Sequence, residues 1–112
     1  MLKKSNRLTT KQVLDVLKNG KVLSSPLFIL RYIINQSDTR ISAVAPVKIA
    51  KKAVIRNRAR RRVYGAIREF FSSIISGVHA IIFSRSDLIS YDFESVRDSI
   101  KDLLVKGNLI KK

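Results

Sequence analysis

The stretch Lys48-Ile49-Ala50-Lys51-Lys52-Ala53-Val54-Ile55-Arg56-Asn57-Arg58-Ala59-Arg60-Arg61-Arg62-Val63-Tyr64-Gly65-Ala66-Ile67-Arg68 holds nine basic side chains in twenty-one positions, and no acidic residue lies between Asp38 and Glu69. At roughly 100° per residue, Ala59, Val63, Ala66, Phe70 and Ile74 form one apolar stripe, with Asn57, Arg61, Tyr64 and Arg68 opposite. This spacing predicts a helix with one face for a core and the other for a polyanion. Solvated charged faces usually alternate Glu with Lys at i, i+4. Here like charges repel along the helix, and an external anion relieves that repulsion. Arg stands at 56, 58, 60, 61 and 62. Guanidinium bonds phosphate in planar bidentate pairs and stacks on bases, so the Arg bias favours folded nucleic acid over a generic acidic surface.

Outward from this helix, 112 residues with 46% hydrophobic content predict one domain, 1–112, with a single modest core. The net charge of +15 is lopsided: residues 1–68 hold 17 basic and 2 acidic side chains, residues 69–112 six of each. The absence of Cys excludes a disulfide framework and thiolate metal sites. No apolar segment follows the charged start, and no run approaches the roughly 18 apolar residues of a membrane span, so a cytoplasmic protein with no membrane partner is expected.

Lys3, Lys4 and Arg7 form a basic arm ahead of Thr9-Thr10-Lys11-Gln12, which has capping-box spacing. A first helix is expected over 10–18, stopped at Asn19-Gly20, with more apolar residues than one contact needs and so one edge left open. Lys21 to Ser24 reads as an edge strand broken by Ser24-Ser25-Pro26. Phe28 to Asn35 alternates with period two and is apolar on both sides, as a central strand would be. Arg40 to Pro46 reads as its antiparallel partner across the polar turn 35–39. Beyond the basic helix, Val78 to Ser84 suits a buried strand, and Asp92 caps a final helix over 93–106 closed by Gly107. Phe93, Val96, Ile100, Leu103 and Leu104 are its core residues, with Asp98 and Asp102 on the wet side. The order α-β-β-β-α-β-α predicts an α+β two-layer sandwich with a small, mostly antiparallel sheet.

Arg56-Asn57-Arg58 followed by Arg60 and Arg61, and preceded by Ala53-Val54 and by Lys48, Lys51 and Lys52, resembles the signature of the protein subunit of bacterial ribonuclease P. Asn6-Arg7-Leu8, Val16-Leu17-Lys18-Asn19-Gly20, Phe28-Ile29-Leu30 and Ile81-Ile82-Phe83-Ser84-Arg85 also resemble family positions, extending the match from about Leu2 to Leu104. The resemblance implies an accessory subunit of an RNA-based enzyme that removes the 5′ leader from precursor tRNA. Catalysis and Mg²⁺ ions are expected in the RNA subunit, with no cofactor on the protein and no obligate protein partner. It further implies that Lys48, Lys51, Lys52, Arg56, Asn57, Arg58, Arg60, Arg61, Arg62 and Arg68 face the catalytic RNA. A cleft between the first helix and the sheet would hold the single-stranded leader, with Val13, Leu17, Phe28, Arg31 and Tyr32 as its candidates. A left-handed strand-helix-strand crossover around the basic helix is implied too, against the usual hand.

The chain departs from the family pattern at several of these positions. Val13 and Leu17 stand where Phe is common, Arg31 where an aromatic is frequent, Ile49 where one of two adjacent lysines is usual, Lys51 where Gly is common, Tyr64 where Arg is frequent, and Arg62 at a commonly apolar position. From the residues alone, Val13, Leu17, Phe28, Ile29, Tyr32 and Ile33 read as ordinary core. Arg31 is the exception: a charge buried alone is prohibitive, so the Ile29, Arg31, Ile33 face is expected to be the open one. Protein-based catalysis has little support, because carboxylates occur singly except Asp98 and Asp102 on a solvated helix face, and His79 has no companion ligand. A basic ribosome-associated protein, or a DNA- or anionic-membrane-binding module, would share the charge and size but not the full set of matched segments.

Overall fold

The computed structural model describes residues 4–110; of the basic arm, Lys3 and the Lys4 side chain lie outside what is described. Three helices and four strands follow in the expected order: α1 (Thr10–Asn19), β1 (Lys21–Ser24), β2 (Phe28–Ile33), β3 (Arg40–Val44), α2 (Ala53–Phe70), β4 (His79–Ser84) and α3 (Phe93–Lys106). Thr9 caps α1 in a complete capping box, its side chain accepting from Gln12 N–H and the Gln12 side chain accepting from Thr9 N–H. Gly20 ends the helix where a Cβ would sit 2.4 Å from the Val16 carbonyl oxygen, so the chain reaches β1 only without a side chain there.

The sheet order is β1-β2-β4-β3. β1 is an edge and β2 is central, as the alternation predicts. The expected β2–β3 hairpin is not formed: β4 lies between them, antiparallel to β2 and parallel to β3. The physical reason lies in the 35–40 turn, which closes on the start of β4 instead of on β2. Gln36 N–H donates to the Gly77 carbonyl at 2.9 Å, Arg40 N–H to the Val78 carbonyl at 2.9 Å, and Gly77 N–H to Thr39 Oγ1 at 3.0 Å. His79 Nε2 and Asp38 Oδ1 meet at 2.8 Å, and Arg40 Nε donates to Asp38 Oδ2 at 2.8 Å. The unit β3–α2–β4 is therefore a parallel strand-helix-strand crossover.

Strand register divides the sheet into two faces. Phe28, Leu30 and Tyr32 of β2, Ala80 and Ile82 of β4, and Ile41 and Ala43 of β3 share one face and are buried with α2 and α3. From α2 come Ala59, Val63, Ala66 and Ile67; from α3, Val96, Ile100, Leu103 and Leu104. Fully burying each large aliphatic contributes about 1.5–3 kcal/mol. Leu109 and Ile110 join this core beyond α3, where Ile110 bridges to Ile74. Two expectations are corrected. Tyr64, placed by helical angle on the polar side, is only 4% exposed because its hydroxyl accepts the Ala43 N–H of edge strand β3 at 3.1 Å. Phe93, expected in the core, is 38% exposed and lies over Gly65, whose Cβ would meet its ring at 3.4 Å.

Candidate nucleic-acid interface

The second sheet face carries Ile29, Arg31 and Ile33 of β2 with Ile81 and Phe83 of β4, Ile29 opposite Phe83 and Arg31 opposite Ile81. Helix α1 covers part of it, burying Val16 completely, yet Leu14 and Leu17 stay exposed, so the open edge is real. The uncovered remainder is a trough made of two adjoining cavities. One, of 400 Å³, is lined by Leu17, Val22, Ile29, Arg31 and Phe83. The other, of 390 Å³, is lined by Ile29, Pro46, Lys48, Phe83, Ser84 and Arg85. Ile29 and Phe83 are common to both and form the floor. Arg31 Nη1 donates to the Leu17 carbonyl at 3.0 Å, in the last turn of α1 where the helix dipole favours a cation. Arg85 Nη1 donates to the Ser25 carbonyl at 2.8 Å, which anchors the opposite end of the rim.

The cleft candidates thus separate. Leu17 and Arg31 line the trough; Val13 is half-buried on α1 but lines neither cavity. Phe28 and Tyr32 do not belong to it: they project from the other face of β2 and are 0% and 8% exposed. Period-two alternation forces this, since Ile29 and Arg31 can face the trough only if Phe28 and Tyr32 face the core. Phe83, Val22 and Arg85 line the trough without having been among the cleft candidates. Only the β2–β4 register reveals that Phe83 shares a face with Ile29 and Arg31.

The basic set is also differentiated. No acidic residue occupies the first turn of α2 and Lys52 offers no side-chain cap, so cations crowd the positive end of the helix dipole. Arg56 Nη1 bends back to the Ala50 and Lys51 carbonyls at 3.0 and 2.7 Å, securing the turn that enters the helix. Arg62 Nη1 donates to the carbonyl of Leu88, a buried residue held at φ 65°. Arg60 Nη2 donates to Asn57 Oδ1 at 2.7 Å with both side chains exposed. Arg58, Arg61 and Arg68 are exposed, and no hydrogen bond or ion pair engages them among the described residues. Lys48, Lys51 and Lys52 are exposed ahead of α2, and Lys48 belongs to the trough as well, joining the two surfaces.

Elsewhere two carboxylates, Asp38 and Asp92, serve structure. Hydrogen bonds from His79, then Arg40, hold the Asp38 carboxyl below its ordinary range. An ionised carboxylate only accepts, so His79 Nε2 carries the proton of that contact. Asp92 caps α3 through Ser95 N–H at 2.8 Å, and that hydrogen bonding with Ser95, with the Arg62 charge a smaller cause, lowers its carboxyl too. No cluster of three metal-ligating side chains occurs among the described residues.

A cationic helix face without counter-charges, joined through Lys48 to an apolar trough rimmed by Arg and Lys, defines an α+β protein built to bind a polyanion. The family described as Ribonuclease P matches residues 2–107. The ribonuclease P protein component of Rippkaea orientalis is 30% identical over 116 residues, covering 97% of this chain and 91% of that one. The corresponding component of Microcystis aeruginosa is 41% identical over 63 residues, 56% of this chain and 52% of that one. Among solved structures, the RNase P protein from Thermotoga maritima superposes with a TM-score of 0.79 at 28% identity, covering 89% and 96% of the two chains. The chain belongs to the ribonuclease P protein family.

Proposed function

We propose that this chain assists a catalytic RNA in the endonucleolytic removal of the 5′ leader from precursor tRNA, binding that RNA through α2 and the leader through the trough. The uncompensated face of α2 carries the reading: Arg58, Arg60, Arg61 and Arg68, with Asn57, Lys48, Lys51 and Lys52, are exposed while the opposite face is fully buried. Such a face binds phosphates with counterion release, giving steeply salt-dependent affinity. Asp38 is engaged in an ion pair and Asp92 in a helix cap, which supports placing the hydrolytic chemistry, and the Mg²⁺ it uses, in the RNA subunit. No helix among the described residues is long and apolar enough to cross a membrane.

The test is equilibrium binding of a ribonuclease P RNA across a salt series. Arg58→Ala and Arg61→Ala should each lower the slope of log affinity against log salt by about one. A slope unchanged in the double variant would remove α2 from the RNA contact. Equal affinity for mature ribosomal RNA would favour the ribosome-associated reading instead.

A further inference from the structure

The aromatics expected to serve the trough are absent from it: Phe28 and Tyr32 are core, and Val13 and Leu17 stand on α1 where the resembling family commonly has Phe. One aromatic ring does reach the trough. Phe83 is half-buried, lines both cavities, and lies opposite Ile29 in β2 and Val44 in β3. It shares the floor with Ile29; Leu17 and Val22 add apolar lining, and Arg31, Lys48 and Arg85 supply cationic groups around it. Each half of the trough is of small-ligand size. An aromatic floor with a guanidinium and ammonium rim matches an unpaired nucleotide, whose base stacks on the ring while its phosphates meet the cations.

We infer that Phe83 is the base-stacking residue of the trough, taking from β4 the role that α1 leaves unfilled in this chain, and that its ligand is a single unpaired nucleotide of the leader. The inference rests on the trough being the leader site. Because the ring reads a π-face and not a hydrogen-bonding edge, the subsite accepts any base but not an abasic position.

The experiment uses the full chain assembled with a ribonuclease P RNA and compares precursor tRNA with mature tRNA. Phe83→Leu should weaken precursor binding about tenfold or more while the loss spares mature tRNA, and an abasic substitution at the contacted leader nucleotide should abolish the difference between the wild-type and Phe83→Leu proteins. The chain has no tryptophan, so Phe83→Trp introduces a single reporter that retains an aromatic ring. The fluorescence of that variant should be quenched by precursor and not by mature tRNA, which keeps the question answerable should Phe83→Leu fold poorly. Wild-type preference for precursor that survives intact in Phe83→Leu, or indole emission from Phe83→Trp that is indifferent to the leader, would overturn the Phe83 assignment and leave the leader site standing. Equal wild-type affinity for precursor and mature tRNA would overturn both.

Discussion

At Arg62, charge and structure part company. Its guanidinium is spent on the carbonyl of Leu88, a bulky residue in a left-handed conformation that few side chains adopt without support. Ser86 Oγ accepts the Leu88 N–H at 3.2 Å, and the Leu88 side chain is fully buried. Arg62→Ala should therefore cost about 1–2 kcal/mol of stability, read as a lower thermal midpoint, with little change in the salt slope of RNA binding. Arg58→Ala and Arg61→Ala should do the reverse. The sequence could not separate these arginines, because all belong to one run and only the position of the 85–92 loop decides which is engaged. Tyr64 was hidden similarly: its helical angle puts it among polar neighbours, and only the unpaired N–H of edge strand β3 explains its burial. The cleft aromatics illustrate the opposite case, since alternation already separates Phe28 and Tyr32 from Arg31, and a strict reading of period two excludes them.

At the scale of elements, the helices and strands were legible from capping boxes, alternation and turn residues, whereas the sheet order was not. A five-residue polar turn between two apolar runs is compatible with a hairpin, and nothing local to it shows that β4 will intervene. The deciding contacts are long-range ones around Gly77 and Asp38. Gly77 sits at φ 87°, with a Cβ position 2.7 Å from the Gln36 carbonyl oxygen. Gly77→Ala should thus destabilise by more than about 1 kcal/mol in denaturant unfolding, through both backbone strain and backbone contact. The Asp38 bridge adds a pH dependence. Its carboxyl is lowered from 3.8 in the folded chain, so the unfolded chain takes up the proton more readily. The stabilisation is complete above that value and lost as pH falls through the lower folded value. Thermal midpoints of wild type and Asp38→Asn should differ near neutral pH and converge in acid; a gap that widened on acidification would contradict the bridge.

Across the whole molecule, the sheet sorts its cargo into two layers. One face, with α2 and α3, closes the core; the other, half-roofed by α1, stays open as the trough. Helix α2 and the segment ahead of it touch both layers, because the inner face of α2 closes the core while Lys48 lines the trough. The imbalance of charge toward residues 1–68 was plain in the sequence, and nine of those seventeen basic side chains fall in α2 and the five residues ahead of it. The measurement that tests the account most directly is cleavage of a precursor tRNA by a bacterial ribonuclease P RNA at near-physiological Mg²⁺, with and without this protein. Correct 5′ maturation that requires both components is the predicted result. Tight binding to structured RNA with no stimulation of a cognate ribonuclease P RNA would contradict it.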